Sequence, residues 1–163
     1  NFKTRINEVN TMKVELILSN GNKVKEEKGK LLWDIIKEHY EESLLPPVLA
    51  MVNGKYYELG SHLEEGGIFE AVSLNNPLGN NTYSRTLQFI LIKAVLDLYP
   101  ESKITIEHSI SKGIYGEIHK NEDLTEEEVW KIKEYMQQLI DEDIPIKKIS
   151  VKKEEAMEFF RSY

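Results

Sequence analysis

The chain has 163 residues, no cysteine and a formal net charge of −7. The missing cysteines exclude disulfides, thiolate catalysis and cysteine-based zinc sites, and no apolar run approaches the roughly 20 residues that span a bilayer. An acidic chain is not typical of a general nucleic-acid-binding protein, which needs a basic face. Because the start has no secretory signal pattern, the predicted compartment is the cytoplasm, with no membrane partner.

Residues 12–74 carry a pattern of strands around one helix. Asn20-Gly21 and Asn53-Gly54 each separate two candidate strands, and Asn-Gly favours a tight hairpin because both residues tolerate positive φ. Between the hairpins, apolar residues at helical spacing predict a helix over 31–40. The order predicts a β-grasp fold, in which a mixed sheet covers one helix. Residues 1–11 precede this pattern and are interpreted as a tail or an expression remnant.

A domain boundary is predicted at 75–82, where four asparagines, a proline and a glycine favour a linker over a helix or strand. A long helix is then predicted over 83–99, because Pro100 would end it. The segments 103–107 and 113–118 are predicted to be paired strands.

The last third of the sequence predicts two helices and a strand between them. Thr125 and Glu128 have the spacing of a capping box, which begins a helix. The apolar alternation in 146–151 predicts a strand, and a last helix is predicted to begin at Lys153. Because that helix brings aromatic residues just where the sequence stops, the second α+β domain, 83–163, is interpreted as incomplete at its C-terminal end.

Two strings in the first domain carry a family resemblance. They are Leu18-Ser19-Asn20-Gly21 at the first hairpin and the string from Val52 to Leu59, VNGKYYEL, at the second. In spacing and position they resemble the TGS domain, a ubiquitin-like β-grasp module of threonyl-tRNA synthetases, some GTPases and stringent-response enzymes. The resemblance implies an α+β protein that begins with a TGS domain.

The second domain looks like the editing domain that follows TGS in threonyl-tRNA synthetases. The matching stretches run from Leu87 to Pro100, Gly113 to Glu117, Leu124 to Met136 and Asp143 to Pro145, together with Glu155-Ala156. The resemblance implies a domain that hydrolyses serine wrongly loaded on threonine tRNA. In that family, two histidines four residues apart near the start of the long helix belong to the hydrolytic site.

The sequence departs from the family at those histidines. Their positions hold Arg85 and Phe89, and the second tyrosine of the family string Gly-Phe-Tyr-Tyr-Asp is replaced by Gly116. Arginine stays protonated near neutral pH and phenylalanine has no titratable group, so neither can serve as a general base. We therefore expect no catalytic residue in this chain, and no set of side chains has the spacing of a metal site.

A further resemblance concerns the string from Ile106 to Ile118 and the segment Tyr83 to Leu87. Both look like the N-terminal region of a bacterial uridine kinase-like family, in which TGS and editing-like domains precede a nucleoside-kinase domain. The main hypothesis is therefore a non-catalytic regulatory or ligand- or RNA-binding module of such a kinase. No phosphate-binding loop motif occurs here, so ATP and magnesium are expected only in a downstream catalytic domain.

Two alternatives remain open on the sequence. One is the N-terminal TGS and editing region of a threonyl-tRNA synthetase that hydrolyses mischarged tRNA. The other is a protein-docking scaffold, since β-grasp folds offer docking surfaces and an acidic chain suits protein partners.

A ligand pocket is predicted around Arg85, His108, Ser109, Lys112 and Tyr115. These residues offer hydrogen-bond donors for a nucleotide, an aminoacyl group or a tRNA end. The competing interpretation is an ordinary polar hairpin turn beside a surface arginine, with Tyr115 and Phe89 in the core.

Overall fold

The computed structural model describes residues 12–41, 45–110 and 113–161, with only the backbone described for 108–110. It confirms the α+β class, with a mixed five-stranded sheet, a two-stranded sheet and four helices in the described part of the chain. None of these helices is long and apolar enough to cross a membrane. The chain divides into two compact units, 1–87 and 88–163, which are described separately.

The first unit is a sheet packed on one helix. Its order is β2-β1-β5-β3-β4, with β1 and β5 parallel and the other neighbours antiparallel. The elements are β1 (Lys13–Leu18), β2 (Lys23–Glu27), α1 (Leu32–His39), β3 (Pro47–Val52), β4 (Lys55–Glu58) and β5 (Gly67–Ser73).

The core of this unit follows from two spacings of apolar residues in the sequence, every second residue along the strands and every third or fourth along the helix. Leu16 and Leu18 alternate on β1 and face inward, while Leu32 and Ile35 lie on one side of α1. Phe69 on β5 is fully buried between them. Alternation along a strand and three- or four-residue spacing along a helix thus place the apolar faces of both elements together.

The second hairpin is joined to β5 through Asn53. This residue has a φ of 50° and Gly54 a φ of 77°, as the Asn-Gly turn requires. The Asn53 Oδ1 accepts a hydrogen bond from the Ile68 backbone N–H at 2.9 Å, and its Nδ2 donates to the Gly66 carbonyl at 3.0 Å. One turn side chain therefore fixes where β5 begins.

The second unit combines a helical hairpin-like core with a two-stranded sheet. Ala94 and Val95 of the long helix are buried together with Ile132 and Leu139, and Ile104 packs against them. In chain order after β5, the elements are α2 (Pro77–Leu98), β6 (Lys103–Ile110), β7 (Gly113–His119), α3 (Glu126–Asp141) and α4 (Lys153–Phe160).

The predicted start of the long helix is wrong. The helix α2 begins at Pro77, so most of the predicted 75–82 linker is helical. Proline is favoured in the first turn of a helix, because the N–H that it lacks would have no partner within the helix. The Asn76 Oδ1 also caps this turn, since it accepts a hydrogen bond from the Leu78 N–H at 2.9 Å. Asparagine and proline that suggest a linker act here as helix-starting residues. The domain boundary itself stays a prediction.

The predicted strand at 146–151 is also not observed. The structure assigns residues 144–152 to no helix or strand, and Ile149 is 79% exposed. A strand needs a hydrogen-bonded neighbour, but in the described part of this unit β6 and β7 pair only with each other. Strand propensity alone therefore did not produce a strand.

The predicted capping box at the start of α3 is confirmed. The Glu128 N–H donates to the Thr125 Oγ1 at 3.3 Å, and the Thr125 N–H donates to the Glu128 Oε2 at 2.9 Å. The Lys120 ammonium also donates to the Glu128 Oε1 at 2.8 Å. These hydrogen bonds lower the pKa of Glu128 to about 2, and the bond from Lys120 contributes most to the shift.

We expect the Glu128→Gln variant to be less stable than the wild type at neutral pH, and this difference to shrink as the pH falls from 4.5 towards 2. The reason is that a carboxylate with a lowered folded-state pKa stabilises the fold above its unfolded pKa and loses that contribution as it is protonated. Urea denaturation of both proteins between pH 7 and pH 2.5 measures this. A constant difference across the range would contradict it.

Candidate functional site

Arg85 and Phe89 lie four residues apart on α2, where the family resemblance places its two histidines. Both side chains are exposed, Phe89 to 55%, so the interpretation of Phe89 as a core residue is wrong. A guanidinium can bind a carboxylate or phosphate through paired hydrogen bonds. It cannot take up the proton that hydrolysis would require a base to accept. At these two positions the helix offers a cation and an apolar ring.

Tyr115 belongs to a line of polar side chains on β7. Its hydroxyl donates to the Glu117 Oε1 at 2.6 Å, and the Glu117 Oε2 lies 3.0 Å from the His119 Nε2. This hydrogen bond to a carboxylate raises the pKa of Tyr115. Tyr115 is 39% exposed, so its interpretation as a core residue is wrong too. The phenol is a protonated donor at the surface.

The rest of the predicted pocket cannot be assembled from the structure. The backbone of His108 and Ser109 lies in β6, where Ser109 pairs with Ile114, but their side chains lie outside the described residues. Lys112 also lies outside the described residues. Arg85 and Tyr115 belong to different units. The five-residue pocket therefore stays a prediction.

The second unit has an apolar cleft that the sequence did not predict. It has a volume of about 210 Å³ and lies beside Phe89. The lining comes from α2, from the end of α3 and from the residues after it: Phe89, Ile90, Lys93, Leu139, Ile140, Asp143, Ile144 and Ile146. The sequence signal was the family-like stretch from Asp143 to Pro145, but only the packing of α3 on α2 shows that this stretch borders Phe89.

The cleft lining is apolar apart from two ionisable side chains. Lys93 and Asp143 are the ionisable residues in its lining. The Lys93 Nζ lies 2.7 Å from the Asp97 Oδ2, and this hydrogen bond raises the pKa of Lys93. An ammonium that is held charged can attract an anion but cannot act as a general base.

Within the described residues, one group of side chains has potential metal ligands close together. Glu26, Glu38 and His39 carry ligand atoms within 4.8 Å of one another. The Lys30 ammonium already lies 2.7 Å from Glu26 and 2.5 Å from Glu38, and the His39 Nε2 lies 2.5 Å from Glu26. Burial would raise the pKa of Glu26, but the bonds with His39 and Lys30 outweigh it and lower that pKa. Lys30 thus supplies the positive charge that this group of carboxylates needs.

Comparison with known proteins supports the resemblance to threonyl-tRNA synthetases. No family model matches the chain. It is 33% identical to the threonine–tRNA ligase of Thermotoga maritima over 153 residues, 92% of this chain and 23% of the ligase. It is 29% identical to that of Rubrobacter xylanophilus over 144 residues, 88% of this chain and 22% of the ligase. It is 30% identical to that of Caldanaerobacter subterraneus over 146 residues, 90% of this chain and 23% of the ligase.

These figures have two consequences. A match of 144 residues or more cannot fit inside either unit, so the similarity runs through both of them. The chain spans less than a quarter of the length of these relatives.

Proposed function

We propose that this chain is the N-terminal TGS and editing-like region of a protein related to threonine–tRNA ligases. We further propose that it binds the aminoacyl end of a tRNA without hydrolysing the ester. The observation that carries this proposal is the exposed pair Arg85 and Phe89 on α2, two positions that the family resemblance aligns with the hydrolytic histidines. A region that keeps the relatives' sequence across both units but lacks the imidazoles fits binding rather than catalysis.

Three features support the TGS and editing-like assignment. The five-stranded mixed sheet packed on α1 has the arrangement of a β-grasp module, and both Asn-Gly hairpins are present. The similarity to threonine–tRNA ligases continues through the second unit. The cleft beside Phe89 offers an apolar wall near Lys93, whose pKa is raised by its hydrogen bond to Asp97, and this combination suits an acyl group next to a phosphate.

The relatives favour one of the parent proteins considered above. Every relative named above is a threonine–tRNA ligase, which favours that family over a nucleoside kinase. The kinase hypothesis receives no support from them, and the ATP and magnesium that it implies remain predictions for a catalytic domain. The docking-scaffold alternative has no observation of its own.

The first test is a deacylation assay. Threonine tRNA charged with labelled serine is incubated with the chain, and the release of serine is measured against buffer alone. We expect the two rates to be equal, because the chain has no imidazole at either α2 position. Release that is faster than in buffer and is lost on heat denaturation of the protein would overturn the non-hydrolytic proposal and favour an active editing region.

The second test is binding of the same tRNA, followed by fluorescence anisotropy. We expect the wild type to bind and Arg85→Ala to bind about tenfold more weakly, because a hydrogen bond to a charged group contributes roughly 1.5–3 kcal/mol. Lys25→Ala is the matched control, since it removes one positive charge from an exposed position on β2. Equal affinity in all three proteins would show that Arg85 does not contribute to tRNA binding.

A further inference from the structure

The end of helix α3 carries a carboxylate without a counter-ion among the described residues. Asp143 directly follows the C-cap residue Glu142 and has a φ of 47°. Its backbone N–H donates to the Ile140 carbonyl at 3.0 Å, but its carboxylate makes no ion pair or hydrogen bond within the described part of the chain. The carboxylates of Asp141 and Glu142 differ in this respect, because each accepts a hydrogen bond from a glutamine one turn earlier, at 2.8 and 2.7 Å.

Both the backbone and the helix disfavour a carboxylate at position 143. Residues other than glycine rarely adopt a positive φ, and glycine is the most common residue directly after a helix C-cap. The last carbonyls of a helix also give its C-terminal end a partial negative charge. The last turn of α3 contains no basic residue that would offset this charge. The end of α3 is therefore a negatively charged site that a cation would stabilise.

Asp143 lines the apolar cleft of about 210 Å³ together with one cation, Lys93. The Lys93 Nζ lies 2.7 Å from the Asp97 Oδ2, and this contact uses one of the three N–H donors of the ammonium. An engineered apolar cavity of about 150 Å³ takes up benzene, so this cleft has room for an aliphatic or aromatic side chain. The cleft thus combines an anion, a cation and an apolar wall.

These three features match the three groups around the α-carbon of an apolar amino acid. Its ammonium suits Asp143, its carboxyl oxygens suit the Lys93 donors, and its side chain suits the wall that contains Phe89 and Ile140. Asp143 would repel an apolar acid that lacks the ammonium, and Lys93 would repel an apolar amine that lacks the carboxyl group. The described lining has no hydroxyl or amide side chain, so a hydroxyl on the ligand would lose its water without gaining a partner.

We infer that this cleft binds an α-amino acid with an apolar side chain, either free or as its ester. Asp143 and the end of α3 bind the ammonium, Lys93 donates to the carboxyl oxygens, and the apolar wall takes the side chain. For the ester, the inference rests on the function proposed above and names the class of acyl group that the region holds. For the free amino acid, it stands without that proposal.

The experiment is an NMR titration of the isotope-labelled chain at about pH 6.5, where α-amino groups are protonated. The probes are leucine methyl ester, serine methyl ester, N-acetyl-leucine methyl ester and free leucine. We expect leucine methyl ester to shift the backbone resonances of Phe89, Ile140 and Asp143 in a saturable way. Serine methyl ester should bind at least about tenfold more weakly. N-acetyl-leucine methyl ester, which has no ammonium, should show no saturable binding.

Substitutions at Asp143 separate binding from folding. Asparagine tolerates a positive φ but has no charge, and glycine also relieves the backbone strain. Asp143→Asn and Asp143→Gly should both weaken the binding of leucine methyl ester by about tenfold or more, while Asp143→Gly leaves the melting temperature unchanged or raises it. Glu142→Gln is the matched control, because it removes one negative charge from the adjacent residue and keeps an oxygen for the bond from Gln138. It should bind like the wild type.

Equal binding of the leucine and serine esters, wild-type affinity in Asp143→Asn, or shifts that fall outside the cleft would each overturn the inference. Free leucine distinguishes the two sources of the amino acid. Tighter binding of leucine than of its ester identifies a free ligand, whereas equal or tighter binding of the ester identifies the esterified form. If the chain binds leucine methyl ester but no tRNA, only the proposed function fails. If it binds tRNA but no ester, only the inference about the cleft fails.

Discussion

Phe69→Ala is expected to lower the free energy of unfolding of the first unit by about 3–5 kcal/mol, the usual cost of emptying a buried aromatic site. Phe69 is fully buried on β5, the strand that lies between β1 and β3. Its backbone carbonyl accepts a hydrogen bond from the Tyr40 hydroxyl at 2.9 Å, and the two rings lie 6.1 Å apart. The cavity would therefore open where α1 meets the middle of the sheet.

The measurement is urea denaturation followed by tryptophan fluorescence. Trp33 lies on α1 in the first unit and Trp130 on α3 in the second, so a Trp130→Phe background makes the signal report on the first unit. Ile68→Ala is the matched control, because Ile68 is the neighbouring residue on β5 and is 52% exposed. If Phe69→Ala costs no more than Ile68→Ala, the burial assigned to Phe69 is wrong.

Gly67→Ala is the second change with a large expected effect. Gly67 has a φ of 137°, and a Cβ there would overlap the side chain of Asn53. The strained backbone costs about 1–3 kcal/mol, and each Asn53 hydrogen bond that is displaced costs roughly 0.5–1.5 kcal/mol more. We expect the first unit to be destabilised by the sum of both effects.

Gly60→Ala separates this effect from a general loss of glycine. Gly60 has space around its Cβ position and no positive φ, so alanine there should be neutral or slightly stabilising. The Asn53→Gly variant removes the same hydrogen bonds, and glycine tolerates the φ of 50° at this position, so it should cost less than Gly67→Ala. A Gly67→Ala protein as stable as Gly60→Ala would show that the Asn53 contact does not hold in solution.

The features predicted correctly from the sequence depend on neighbouring residues alone. The two Asn-Gly hairpins and the capping box at Thr125 are confirmed, because turn and cap geometry is set within about four residues. The helix α1 is confirmed for a similar reason, since Leu32, Ile35 and Ile36 mark one face within two turns.

The wrong predictions concern features that depend on distant partners. Asparagine and proline at 75–82 fit a linker as well as a helix start, and the local sequence does not distinguish them. The strand at 146–151 has the right alternation, but pairing requires a second strand that periodicity cannot reveal. Tertiary contacts therefore determine where α2 starts and why residues 146–151 do not form a strand.

The candidate site divides in the same way. Arg85 and Phe89 could be placed on one helix from their spacing, and the structure places both on α2 as exposed residues. The cleft could not be predicted, because Ile90 and Ile140 meet only when α3 packs against α2. Exposure is also a property of the fold, and for that reason Phe89 and Tyr115 were open to interpretation as core residues.

The place of β5 in the first unit has a consequence for synthesis on the ribosome. This strand comes last in the unit but lies in the middle of its sheet, and its partner Leu16 precedes Gly67 by 51 positions. At roughly 5–20 residues per second, the β1–β2 hairpin is complete several seconds before β5 leaves the exit tunnel. During that interval the inner edge of β1 is unprotected, so the nascent chain is most exposed to wrong strand pairing before Ser73 emerges.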